Sequence, residues 1–166
     1  SDRGGDENHV AVPSLLAVSA IEQYLVATKK RTALSIILES AEPRDVHHFA
    51  TLLGYGARAV HPYLAHECIE ELVNKNMLNK ECYTAINDYN NAILQGIVKI
   101  ASKMGISTLQ SYQSAQIFEA VGICKDVIDK YFTNTVSPVD GIGLKEINEG
   151  VEWRHNHAFD PLGLGV

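Results

Sequence analysis

With 166 residues, a net charge of −6 from 14 basic and 20 acidic side chains, and no basic run, the chain has the length of one domain. It lacks the positive surface that displaces counterions from a nucleic acid. No apolar run approaches the ~20 residues that cross a bilayer, no charged-then-apolar leader is evident, and the expected setting is the cytoplasm. Cys68, Cys82 and Cys124 are odd in number, far apart and never spaced CxxC, which excludes a disulfide framework or a zinc site built on them.

The first twelve residues are polar and rich in turn formers, and an opening at Ser1 in the middle of such a loop reads as a segment of something longer, cut just after a strand. Pro13 and Ser14 then start a helix with a broad apolar face from Leu15 to Val26, reaching the cationic end Lys29-Lys30-Arg31. The run Leu34, Ile36, Ile37, Leu38 reads as a strand buried on both faces, with Glu39 at its tip. Glu42-Pro43-Arg44-Asp45 supplies helix-start chemistry, Val46, Phe49, Ala50, Leu52 and Leu53 an apolar stripe, and Gly54-Tyr55-Gly56 a stop. A second strand follows from Ala57 to Val60. Two strands joined by one helix of this length are parallel, so 32–63 is a βαβ unit.

Downstream the spacing predicts helices over Tyr63–Lys75 and Lys80–Met104, with Asn79 as a cap between them and Ile86, Tyr89, Ile93, Ile97, Ile100 and Met104 on one stripe. Ile106–Tyr112 is either a strand fragment or a turn with a cap at Ser107 or Ser111. Gln113–Val121 and Cys124–Phe132 read as helices, Thr133–Gly143 as a loop, Leu144–Phe159 as a last helix, and 160–166 as disordered or held by neighbours. The fold class is α/β, a partial parallel βα layer over 1–76 followed by a mostly helical half over 77–166.

Polar residues gather where parallel sheets bind ligands, at the carboxyl ends of the strands: Glu39 and Glu42 after the first, His61 after the second, with Arg3 a further candidate. Any loop that leaves a strand must also be polar, so these residues serve equally as ordinary loop chemistry. Neighbouring His47 and His48 point about 100° apart on a helix, and His155 and His157 also diverge, so no metal site is expected. Gly141-Ile142-Gly143 reads as a turn before the last helix rather than a phosphate cradle. No nucleophile, base and acid can be assembled, and no catalytic or cofactor-binding residue is assigned.

Four blocks, SDRGGDENHVAVPSLLAVSAIEQYL, ILESAEPRDVHHFATLLGYGARAVHPYLA, KIASKMGISTLQSYQSAQIFEAVGI and DKYFTNT…GIGLKEI, resemble the large subunit of glutamate synthase along the whole chain. The resemblance implies the end of that enzyme's central domain, an α/β arrangement like an incomplete barrel, leading into its flavin-binding synthase domain. It implies a parent that converts glutamine, 2-oxoglutarate and reductant to glutamate using FMN and an iron–sulfur cluster. The parent's electrons come from ferredoxin or a small NAD(P)H-oxidising subunit, and its setting is the cytoplasm or, in a photosynthetic eukaryote, the plastid. Neither cofactor is expected in this segment, which carries neither an N-terminal cysteine nor clustered cysteines. Gln113-Ser114 stands where the family has a glycine before AQIFEA, which singles out that turn.

The expectation is therefore a structural and coupling module, inactive alone, that partners the remaining domains of the large subunit. The rival reading is a stand-alone binding module for a small metabolite or anion at the edge carrying Arg3, Glu39 and His61; a small independent enzyme is a third. Loss of neighbouring elements would leave an open sheet edge, so self-association through that edge or the Lys80–Met104 helix is expected.

Overall fold

A computed structural model of the chain describes residues 1–115, 117–160 and 162–163. The expectations for position 116 and for 161 and 164–166 of the tail lie outside the described residues. The described chain is mixed α/β, with two short parallel strand pairs and no closed barrel. It divides into two compact units, one of Ser1 with Ser35–Ala115, the other of Asp2–Leu34 with Gln116–Val166. In chain order the elements are helix α1 (Ser14–Ala27), strand β1 (Ile36–Glu39), α2 (Val46–Gly54), β2 (Ala57–His61), α3 (Tyr63–Asn74), α4 (Cys82–Lys103) and α5 (Leu109–Tyr112). They continue with β3 (Glu119–Ile123), α6 (Lys125–Tyr131), β4 (Val136–Ile142) and α7 (Leu144–Phe159).

In the first unit β1 and β2 pair in parallel, Leu38 opposite Val60 and Glu39 opposite His61, and the Ser40 N–H extends the ladder to the His61 carbonyl (3.1 Å). Leu38 turns into a core with Phe49, Ala50, Leu52, Leu53, Tyr55 and Ala57. Ile37 lies on the other face and is 71% exposed, so β1 is covered on one face, not two as its apolar run suggests. The Asp45 carboxylate caps α2 by accepting the N–H groups of His47 (2.8 Å) and His48 (3.3 Å), while His48 Nδ1 accepts that of Arg44 (3.1 Å). Gly56, at φ +115°, provides the left-handed stop. Helices α2 and α3 both pack on α4. The cap of α4 is Glu81, which accepts from Tyr83 (3.0 Å) and Thr84 (2.7 Å), rather than Asn79. The short α5 is capped by Thr108, not by Ser107 or Ser111, and buries Tyr112 completely.

In the second unit α1 stops at Ala27, four residues before the expected end, because Lys29 takes a left-handed φ of 58° and a 3-10 turn follows at Arg31–Ala33. That turn brings Arg31 onto Glu22, a carboxylate almost wholly buried on α1. Helix α1 packs on α6, where the Ser19 hydroxyl donates to the Tyr131 carbonyl. The predicted helix over 113–121 is replaced by β3, and the predicted loop over 133–143 contains β4, its parallel partner. Ile117, Phe118 and Val121 mimic helical spacing, yet so short an apolar run fits either period. Pro138 does not exclude a strand, because in a two-stranded sheet every strand is an edge. Gly141 is part of β4: a Cβ there would run into the Gly122 carbonyl, so it serves close backbone approach rather than a turn or a phosphate cradle.

Candidate functional site

Register alone brings Glu39 and His61 together at the tips of β1 and β2. Glu39 Oε1 lies 3.2 Å from His61 Nδ1, and its other oxygen accepts the Ser1 hydroxyl at 2.6 Å. A carboxylate only accepts, so Nδ1 carries the proton in this contact. The ring centroids of His61 and His66, from the first turns of α3, are 5.7 Å apart. His66 Nε2 lies 2.9 Å from Asn90 Oδ1 on α4, and the ring meets Tyr89 edge-on at 5.9 Å. The Tyr89 hydroxyl donates to the Arg44 carbonyl (3.0 Å), which ties the cluster to the start of α2.

Of the four residues proposed from sequence, then, two meet. Glu42 stays on the exposed loop after β1, its N–H donating to Ser40 Oγ (3.2 Å), and Arg3 belongs to the second unit. Ser1, His66, Tyr89 and Asn90 escaped sequence reasoning. His66 alone left a trace, lying one turn into the helix that leaves the second strand tip.

The chemistry open to this edge is binding and positioning. Serine, carboxylate and imidazole are present, but the hydroxyl faces the carboxylate and not the imidazole, so no base activates it. The carboxylate attracts hydrogen-bond donors and cations more readily than anions. Burial, and next the Asp45 carboxylate, hold the Tyr89 phenol above its ordinary range, so it stays protonated. Burial, then Glu70 and Glu81, likewise push the Cys82 thiol up, the reverse of what a nucleophile needs. Among the described residues no three or more of His, Cys, Asp and Glu are grouped to hold a metal ion. His48 is engaged in the α2 cap, His155 approaches the Glu7 carbonyl (3.2 Å), and His157 stacks on Trp153.

The fold is that of an α/β segment in which a βαβ unit feeds a long helix, with its polar residues at the strand tips. Residues 1–124 match the glutamate synthase central domain, and the chain belongs to that family. It is 49% identical over 159 residues to the glutamate synthase [NADPH] large chain of Bacillus subtilis (strain 168), covering 96% of this chain and 10% of that protein. It is 47% identical over 149 residues to the glutamate synthase [NADH] of Schizosaccharomyces pombe, covering 89% and 7%. To the ferredoxin-dependent glutamate synthase 2 of Synechocystis sp. it is 37% identical over 166 residues, covering 94% and 11%. The chain thus spans about a tenth of the length of these relatives.

Proposed function

We propose that the chain is a structural and coupling module of a glutamate synthase large chain, standing between the amidotransferase and FMN-dependent synthase sites and inactive by itself. The whole enzyme would convert glutamine, 2-oxoglutarate and reductant to two glutamates, in the cytoplasm or a plastid. Its partners would be the other domains of the large chain and either ferredoxin or a small NAD(P)H-oxidising subunit. The observation that carries this reading is the 49% identity along 96% of the chain to a glutamate synthase large chain.

The residues present do not fit the parent's cofactors. An iron–sulfur cluster needs several thiolates together. Here Cys68 and Cys82 stand on α3 and at the start of α4 while Cys124 belongs to the other unit, and none joins a ligand cluster among the described residues. The one glycine pair that could cradle a flavin phosphate is occupied on one side by backbone, Gly141 lying against Gly122.

The test is direct. The purified chain, given glutamine, 2-oxoglutarate and NADPH or reduced ferredoxin, should form no glutamate. Substituted for the matching stretch of the Bacillus subtilis large chain, it should preserve glutamine-dependent glutamate formation. Glutamate made by the isolated chain would overturn the claim of inactivity, and a folded chimera that hydrolyses glutamine without making glutamate would overturn the coupling role of this sequence.

A further inference from the structure

Helix α4 has two apolar faces. Ala85, Ile93 and Ile97 are buried within its own unit, whereas Tyr83, Leu94 and Val98 share another side and are 76, 58 and 64% exposed. The helix has 22 residues, so this second stripe runs along an element about 33 Å long. Its charges are divided unevenly. Glu81 and Asp88 lie toward the N-terminal end, with Lys80 paired to Asp88, and Lys99 and Lys103 lie toward the C-terminal end.

A partner that fits such a face presents an apolar centre between a positive and a negative end in reversed order, and a second copy of the same helix run antiparallel meets that description. We propose that α4 is a self-association surface, two copies docking antiparallel about Leu94 with Lys99 of each opposite Asp88 of the other. A parallel pair would set the two lysine ends side by side and is disfavoured. Asn87 and Asn91 keep the seam partly polar, and one helix face per copy gives an interface at the small end of specific contacts, so the dimer exchanges with monomer. This surface is independent of the coupling role proposed above.

Sedimentation of the intact chain between about 1 and about 500 μM, the range a small interface populates, should show mass rising from monomer to dimer. Leu94→Lys, at an exposed position that leaves the fold intact by circular dichroism, should hold the chain monomeric. Lys99→Glu should weaken the dimer roughly tenfold. Orientation has its own readout, in a Cys68→Ser background that removes the exposed native thiol. Leu94→Cys should oxidise to a covalent dimer, whereas Tyr83→Cys, about 33 Å from its counterpart in an antiparallel pair, should not. A monomeric mass throughout, a dimer indifferent to Leu94→Lys, or equal cross-linking at both positions would each overturn the proposal.

Discussion

Both units contain a parallel strand pair spanned by a short helix, and the two are held by different means. Around β1 and β2 the chain invests apolar volume: Phe49, Leu52 and Leu53 of α2 are buried with Leu38 and Ala57, and the ladder has a single irregularity. Around β3 and β4 it invests contacts of narrow tolerance. The ladder is irregular at both intervals, Val121, Val136 and Val139 are each more than half exposed, and the burial comes from Val127, Ile128 and a paired Glu22 and Arg31. Hydrophobic burial is graded and forgiving, whereas a buried ion pair and a backbone-to-backbone approach are intact or lost. The second unit should therefore be the more brittle to single substitutions.

The largest effect should follow Arg31→Met. It leaves the Glu22 carboxylate buried and unpaired, and should destabilise the second unit by about 3–5 kcal/mol. Trp153, the one tryptophan, lies in that unit, so its fluorescence in urea reports the loss. The double variant Glu22→Leu/Arg31→Met should recover most of it, and a double variant as unstable as the single would show that the pair's packing matters more than its charge. Next comes Gly141→Ala, whose methyl has nowhere to go but the Gly122 carbonyl, at a cost of about 3 kcal/mol. Gly143→Ala, two residues on, would meet only the Glu146 carboxylate tip at 3.3 Å and the Cys124 sulfur at 3.6 Å, and should be far milder by the same measurement.

The same difference explains what the sequence disclosed. The first pair was legible because Val46 to Leu53 carry a clear helical stripe between punctuating residues, Asp45 before and Gly56 after, and because an apolar strand ran into each end. The second was not. Pro138 and Gly141 are residues of loops by composition, and they are tolerated in β4 through its edge position and the closeness of Gly122, which only tertiary structure reveals. The candidate site divides likewise. Glu39 and His61 follow from reading strand ends, but His66 meets Asn90 only through the packing of α3 on α4, across 24 residues of chain.

Two glycine substitutions sharpen the comparison within the first unit. Gly96→Ala brings a methyl to 2.5 Å from Val46 Cγ2, a side chain that can give, so the cost should be about 1–2 kcal/mol. Adding Val46→Ala should restore space while keeping the helical gain of alanine, and a double variant still as weak as Gly96→Ala would place the clash elsewhere. Ser114, where the family carries glycine, sits at φ +59°. Ser114→Gly should relieve the left-handed penalty and stabilise the unit by about 0.5–1 kcal/mol, net of the entropy that glycine adds to the unfolded chain. Thermal melting followed by circular dichroism checks both.

The smallest expected effect concerns pH and touches both units. Backbone N–H groups hold the carboxyls of Asp45, by way of His48 first, and Glu81, by way of Tyr83 first, below their ordinary range in the first unit. In the second, the side chain of His9 does so for Asp6, and the backbone of Glu146 itself and then of Gly143 for Glu146. A carboxyl lowered on folding gives stability that is complete above its unfolded value and is lost as pH falls from there through the folded value. Both units should then weaken on acidification below the ordinary carboxylate range and show little carboxylate-linked change above it. Asp45→Asn removes the titration but keeps an oxygen to cap α2. Urea midpoints followed by far-ultraviolet circular dichroism at descending pH should thus show a shallower acid loss in this variant, while the Trp153 signal of the second unit keeps its original slope. An unchanged slope by circular dichroism would transfer the acid sensitivity of the first unit to Glu81.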